Sequence, residues 1–492
     1  MFEEIFDLVE KGVSVEKAKL IFAKRHGFIP KNSVLLKEAP PALRHLFVKK
    51  PKRTASGVAV IALMPPPTPC PGRCIYCPVG ENAPQSYTGR EPAALRAIQN
   101  NYSAAAQIRN RLSQYKAMGH PTHKLDLIIM GGTFPAAPKT FKDAFVKEIY
   151  ETLNGQPAPT LADAIRANEH AEHRVIGLTI ETRPDFVFPE EFLSWGTTRV
   201  ELGVQVLDDA IYERVRRGHT VEDVVRATET LRRWGFKIIY HMMPGLLTTP
   251  EQDLEFFRRL FEDERFRPDG LKIYPTLVVK GTKLYRMWKQ GKYKPYTEVE
   301  AVPLLAKVFK MLPPYVRVQR VQRDIPAPLI EAGVKSGNLR ELIHAYLKER
   351  GWHTKEIRSR EAGYRERLPS APEMKEFWYK ANKGDEVFLS LEEDDTLFGY
   401  LRLRFQEEAP SSVLAGRALV REIRIVGQPV GFHERGHIQH RGFGRALLMR
   451  AEELAEERGL GVAVISGVGV REYFRKQGYR LEEYYMVRDF KC

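Results

Sequence analysis

Three of the four cysteines in this 492-residue chain, Cys70, Cys74 and Cys77, fall together in the stretch "TPCPGRCIYCPVG", and the fourth, Cys492, is the last residue. Disulfides consume thiols in pairs and would leave one over, and the start of the chain has no apolar stretch of the kind that directs export to an oxidising compartment. Structural zinc wants four closed ligands, yet no second Cys or His pair follows and the nearest histidines are His45 and His120. The spacing C-x3-C-x2-C, with Tyr76 before the last thiol, fits another group: three thiolates hold three irons of a [4Fe-4S] cluster and leave the fourth iron open to a ligand.

Such a loop needs a scaffold. From about residue 55, short β-rich runs alternate with helical patterns such as that at 91–119. The runs are "GVAVIALM" (57–64), "LDLIIMGG" (125–132), "VIGLTIETRP" (175–184), "RVELGVQV" (199–206), "FKIIYHMMPG" (236–245) and "GLKIYPTLV" (270–278). This alternation predicts a parallel sheet, and six such units fit a partial (β/α) barrel, an α/β fold whose working residues sit at the C-terminal strand ends. The cysteine loop follows the first run, Gly131, Gly132 and Thr133 the second, Glu181 and Arg183 the third, and Gln205 the fourth. In isolation "GGT" reads as a turn, and a charged strand end serves a salt bridge as readily as a ligand.

After "RVQRVQRDIPAP" the rhythm gives way to a basic segment, "SGNLRELIHAYLKERGWHTKEIRSREAGYRER", expected to be helical and then irregular. A separate α/β unit is expected from about residue 378. It has antiparallel strands in "EVFLSLEE", "LFGYLRLRF" and "GRALVREIRIVG", then the helix "GFGRALLMRAEELAEERG" and the strand "GVAVISGV". Between strand and helix stands Gln439-x-x-Gly442-x-Gly444, where glycines let backbone N–H groups approach a phosphate at a helix N-terminus. A bare glycine-rich helix start is most often only a cap; the surrounding order of strand, loop, helix and strand, with the late "YFRKQGY", is more specific.

Charge adds a partner class. The formal net charge is +15; residues 310–360 hold 11 Lys and Arg against 5 Asp and Glu, and "KKPKR" at 49–53 is a second basic run. A polyanionic partner is expected, although a solvated face explains either run alone. With 43% hydrophobic residues and no apolar run of about 18, a folded protein without membrane spans is expected. Few cysteines and no targeting segment point to a reducing cytoplasm, where an oxygen-sensitive cluster persists.

The cysteine loop resembles the signature of the radical S-adenosylmethionine (SAM) superfamily, and the C-terminal unit resembles a GNAT acetyltransferase. Together with "SYTGREPAALRAI", "MGGTFPA", "GLTIETRPD", "RRGHTVEDVV", "HMMPGL", "RPDGLKIYPTLV", "RVQRDIPAPLI", "IQHRGFGRALLMRAEE" and "AVISGVGVREYFRKQGYR", they resemble the catalytic third subunit of Elongator and its stand-alone archaeal and bacterial relatives, over residues 55–487. The resemblance implies an N-terminal helical segment at 1–54 with a share in tRNA binding, a radical SAM domain at 55–330, a basic linker at 331–377 and a GNAT domain at 378–492. It implies a tRNA carboxymethyluridine synthase that uses SAM, a [4Fe-4S] cluster and acetyl-CoA on the wobble uridine of the anticodon stem-loop, with an external electron donor and no evident partner subunits. A 5′-deoxyadenosyl radical would take hydrogen from the acetyl methyl group, the carbon radical would add to carbon 5 of the base, and thioester hydrolysis would leave the acid.

By the same resemblance Cys70, Cys74 and Cys77 hold the cluster. Gly131, Gly132 and Thr133 form the strand edge that meets the methionine amino group of SAM, and Glu181, Arg183 and Gln205 contact SAM or substrate. Glu422, Ile423, Arg424 and Ile425 match the strand that pairs with the pantetheine arm, and Ile438, Gln439 and His440, with Gly442 and Gly444, match the pyrophosphate loop. Lys124, near acetyl-CoA, and the aromatic pair Tyr473 and Phe474, which closes on CoA, make up the expected catalytic set. Two departures matter: Phe474 stands where relatives often have tyrosine, which keeps packing but removes a hydroxyl, and no cysteine lies between Cys77 and Cys492, so no structural zinc is expected after the barrel. One rival reading keeps the cluster structural and has the GNAT unit acetylate protein lysines, with Glu422 or Tyr473 as base. Another is a tRNA-binding scaffold with inactive centres.

Overall fold

The computed structural model describes residues 2–48, 57–365, 367–427 and 442–490; Ile438, Gln439, His440, the basic run at 49–53 and Cys492 lie outside them. Helices Glu3–Glu10, Val15–His26 and Asn32–Glu38 come first and bury their own small core around Ile5, Phe6, Phe22 and Leu35.

The first sheet has seven strands: β1 Ala59–Leu63, β2 Lys124–Ile129, β3 Arg174–Thr182, β4 Arg199–Gln205, β5 Lys237–Met242, β6 Gly270–Ile273 and, beyond the two-residue β7 Val278–Val279, β8 Arg317–Arg320. The spatial order is β1-β2-β3-β4-β5-β6-β8 and every neighbouring pair is parallel, so the sheet is a partial barrel wound in chain order with helices between its strands. β7 pairs instead with β9 Ile330–Ala332. Six β-rich runs announced this sheet, and the seventh strand is the finding: "RVQR" has one buried residue, Val318, and becomes a strand only by pairing with β6. The helical pattern at 91–119 is two helices, Pro92–Gln99 and Ala104–Ala117. Between them Asn101 and Tyr102 take left-handed φ values of 47° and 59°, and Ser103 caps the second helix by accepting the Ala106 N–H at 3.2 Å.

The second sheet comprises β10 Glu373–Ala381, β11 Gly384–Glu393, β12 Thr396–Gln406, β13 Arg417–Ile425, β14 Gly461–Val464, β15 Arg480–Glu482 and β16 Tyr485–Arg488, in the order β10-β11-β12-β13-β14-β16-β15. β10 to β13 are antiparallel, and β13 and β14 are parallel. That parallel pairing stops at Val420 against Val464, so residues 421–425 of β13 part from β14 and leave a gap beside the helix Phe443–Glu456.

The two sheets are locked together by buried charge. Asp269, just before β6, accepts from Arg421 of β13 at 2.9 and 2.5 Å, and Glu386 of β11 accepts from Arg421 at 3.0 Å and Arg404 at 3.1 Å. Arg232 and Arg402 stand 3.7 and 3.5 Å from Asp269. Burial opposes ionisation of Asp269, but the three arginines outweigh it and hold the carboxyl well below its ordinary range. Removing that charge strands buried guanidinium groups, so Asp269→Asn is expected to cost about 3–5 kcal/mol. An unchanged melting temperature would mean the network does not hold the domains together. No helix among the described residues is long and apolar enough to cross a membrane.

Candidate functional site

The cysteine loop is pinned from both sides: the Ile75 N–H donates to Val215 O at 3.0 Å and Ile75 O accepts from the Leu284 N–H at 3.0 Å. The Gly72 N–H lies 3.4 Å from Cys70 Sγ, Arg217 Nη1 donates to Cys74 Sγ at 3.5 Å, and Cys77 Sγ meets Ser86 Oγ at 3.0 Å. A hydrogen bond from Cys77, helped by the Arg217 charge, lowers the Cys74 thiol to about 5, and the same bond together with burial pushes Cys77 well up. All three thiols are free of disulfides and line one cavity. Three soft donors converging on an open space suit a cluster with one free iron, whereas structural zinc would be closed by a fourth ligand.

The neighbouring strand ends face the same space. Gly131 and Gly132, with φ of 108° and 62°, turn the backbone after β2 in a way side-chained residues resist, and Thr133 Oγ1 lies 3.6 Å from Cys70 Sγ. Arg183 is forked onto Asp185 at 2.9 and 2.7 Å, which leaves its buried Nη1 without a partner among the described residues. A Cβ on Gly72 would meet that nitrogen at 2.4 Å, so the loop packs directly on Arg183. Gln205 ends β4 with a left-handed φ of 74°, and its buried Oε1 is likewise unpartnered. Buried polar atoms normally find partners, so each of these two has a hydrogen bond left to offer a polar ligand.

Deeper in the cavity lie groups that the sequence reading did not single out. His241 Nε2 is 2.8 Å from Glu201 Oε2, and Lys272 pairs with Glu201 and, at 3.0 Å, with Glu181. Ligand atoms of Glu181, Glu201 and His241 lie within 4.8 Å of one another, but the Lys272 ammonium already sits between the two carboxylates, where a metal cation would go. Glu201 is buried, which alone would raise its carboxyl; Lys272 and His241 outweigh that and hold it well below its usual range. The available signal was a lysine or histidine inside an apolar strand, Lys237 and His241 in "FKIIYHMM" and Lys272 in "GLKIY", since a buried cation needs a partner or a task.

At the far end the cavity reaches the gap in the second sheet, where Glu422, Ile423 and Arg424 of β13 face Val464, Ser466 and Gly467, with Phe474 alongside. Glu422 pairs with Lys237 and accepts from Arg402 at 2.9 Å and Tyr400 at 3.1 Å; burial is outweighed and its carboxyl is held far below the ordinary range. The continuous space, about 730 Å³, thus runs inside the half-barrel from the thiols to this gap, past Asp126 and Ile128 of β2 and Met130 just beyond it. Lys124 shares the register of those three residues at the start of β2 and is half-buried, which lowers its ammonium, but it does not line the cavity. Ile425 packs on the apolar core of the second sheet. Phe474 is buried, while Tyr473 stays 37% exposed with its hydroxyl 3.2 Å from where a Cβ on Gly444 would stand, over the first turn of the helix that Gly442 caps at φ 91°.

The arginines of "RVQRVQRDIPAP" also change meaning. Arg320 pairs with Asp324, Arg323 Nη2 donates to Ser86 O at 2.5 Å, and both line the cavity. Replacing Arg320 and Arg323 together is expected to lower the salt slope of tRNA binding by roughly 1 to 2 units, about one per lost phosphate contact. An unchanged slope would make them wall residues only.

The radical SAM superfamily matches residues 64–261, the Radical_SAM C-terminal domain 268–349 and the acetyltransferase (GNAT) family 352–479. The chain is 48% identical to the "tRNA uridine(34) acetyltransferase" of Dehalococcoides mccartyi over 90% of this chain and 99% of that protein. It is 41% identical to human "Elongator complex protein 3" over 98% of this chain and 94% of that protein. It also superimposes on the solved structure of an N-terminally shortened Elp3 from Methanocaldococcus infernus with a TM-score of 0.79, at 38% identity, covering 89% of this chain and 100% of that one.

Proposed function

Because this chain belongs to the family of tRNA uridine(34) acetyltransferases and Elongator complex protein 3, we propose that it builds 5-carboxymethyluridine at the wobble position of tRNA from acetyl-CoA. The observation that carries this reading is the single cavity joining the cysteine loop to the gap between β13 and β14. In the proposed division, residues 55–330 are the radical SAM domain and 378–492 the GNAT domain, while 1–54 and 331–377 offer helical and basic surface to the RNA.

Held by Cys70, Cys74 and Cys77, a [4Fe-4S] cluster supplies one-electron reductive cleavage of SAM. The chain's own residues position the reactants. The Gly131–Thr133 edge, Arg183 Nη1 and Gln205 Oε1 receive the polar groups of SAM, while Arg217 steadies the Cys74 thiolate. The thioester arm lies in the β13–β14 gap, between Glu422–Arg424 and Ser466–Gly467, with Phe474 closing on it and the helix that begins beyond Gly442 turned to the pyrophosphate. The uracil enters between these ends, where His241, Lys272 and Glu201 offer donors and acceptors, and enclosure in the half-barrel keeps water from the reacting carbons.

The lysine-acetyltransferase alternative fits less well. Its base would be Glu422, whose proton affinity Lys237 and Arg402 have removed, or Tyr473, which burial pushes up rather than towards ionisation. The direct test is mass analysis of wobble nucleosides after reaction with SAM, acetyl-CoA and a reductant. A carboxymethyl mass on uridine is expected; acetyl-lysine on protein with unaltered uridine would overturn the proposal.

A further inference from the structure

The helix Lys283–Lys289 packs directly behind the cysteine loop. Leu284 shares a buried cluster with Cys74, Ile75 and Tyr76, and the half-buried Tyr285 and Trp288 pack against that cluster. Helical spacing turns the other face outward, so Lys283, Arg286 and Lys289 are exposed. The chain around them extends the charge: Lys280 and Lys292 are exposed, residues 280–297 contain no Asp or Glu, and Arg73, next to Cys74 in the cysteine loop, is also exposed. Lys294 pairs with Glu300 at 3.5 Å, whereas none of the other six cations has a carboxylate partner among the described residues. The Lys289 ammonium stands 4.7 Å from the centre of the Trp288 ring, so the patch combines positive charge with a flat aromatic edge.

Resting on the reading of the three thiols as a cluster site, we infer that this patch docks the reductant: a small acidic carrier protein that delivers one electron at low potential. Position decides the partner. No residue between 275 and 316 lines the cavity, so the patch lies outside the space where a base is handled, yet it touches the loop that holds the thiols through the Leu284–Ile75 hydrogen bond. An electron must arrive at that loop, whereas the arginines expected to meet RNA phosphates, including Arg320, Arg323 and Arg358, line the cavity instead. One electron leaves the carrier and enters the cluster; no proton or group moves. Unpaired cations on one side and acidic surface on the other give steered association that weakens with salt.

The full chain, reconstituted anaerobically, is mixed in stopped flow with reduced flavodoxin and, separately, with dithionite, and the loss of cluster absorbance is followed. Iron content is measured first, so a chain that takes up no iron refutes the cluster reading before docking is tested. In the parent the flavodoxin rate is expected to fall as salt rises. In the triple variant Lys283→Glu, Arg286→Glu, Lys289→Glu it should fall by about tenfold or more, while iron content, dithionite reduction and bulk tRNA affinity stay within about twofold. A parent rate indifferent to salt would overturn the inference without any variant, and so would a triple variant reduced by flavodoxin at the parental rate. A parallel loss of tRNA affinity would assign the patch to RNA instead. Should the triple variant lose its iron, the single changes Lys283→Gln and Lys289→Gln take its place, with a smaller fall in the same rate expected and no fall overturning the proposal.

Discussion

Cys74→Ala protein will contain no competent cluster and will form no measurable 5′-deoxyadenosine from SAM, while Cys492→Ser will form it at the parental rate. The thiols at 70, 74 and 77 line one wall, and Cys74 is the one Arg217 contacts, so its loss removes a donor and leaves the buried guanidinium without its sulfur. The hydroxyls that touch the other two thiols, Thr133 at Cys70 and Ser86 at Cys77, are harder donors than a thiolate. The measurement is 5′-deoxyadenosine by liquid chromatography with iron content in parallel. A Cys74→Ala chain that cleaves SAM normally would remove the cluster from the mechanism.

Acetyl-CoA carrying deuterium on its methyl group will yield deuterated 5′-deoxyadenosine in a reaction containing tRNA. Acyl transfer to an amine breaks only the carbon–sulfur bond and leaves the methyl hydrogens as spectators. The proposed reaction instead moves one of them to the 5′ carbon, which requires the thioester and the SAM site to open on the same space. That space exists: the thiols and the β13–β14 gap line one cavity, and the buried Asp269–Arg421 pairing holds the two sheets in register around it. Modified uridine together with unlabelled 5′-deoxyadenosine would exclude the abstraction. Label in the nucleoside product would be hard to obtain from a lysine acetyltransferase.

Much of this site was legible because its chemistry is local. Three thiols at C-x3-C-x2-C belong to one loop, and "GGT" and "ETRPD" stand directly after apolar runs; a parallel α/β sheet places strand ends at one rim whatever the details of packing. The glycines at 442 and 444 were readable for the same reason, as a helix start following a strand. The sequence therefore determined the fold class, the cysteine loop and the residues at the strand ends.

What it left open are contacts between distant segments. Arg217 meets Cys74 across 143 positions, Lys237 meets Glu422 across 185, and Asp269 meets Arg421 across 152. In sequence Arg217, Asp269 and Arg421 cannot be told from solvated charges, and Lys237 inside an apolar strand signals a partner without saying which. β8 is the plainest case: "RVQR" reads as a basic surface, and only the backbone of β6 beside it makes it a wall of the cavity. Likewise Tyr473 and Phe474 are neighbours in the chain, but the helix between Arg471 and Arg475 sends the phenylalanine into the cavity wall and the tyrosine towards the turn at Gly444. Burial turns such charges into partners because an unpaired ion costs several kcal/mol once water is removed. Which segments exclude water from one another is a property of the folded chain, and only the tertiary structure decided it.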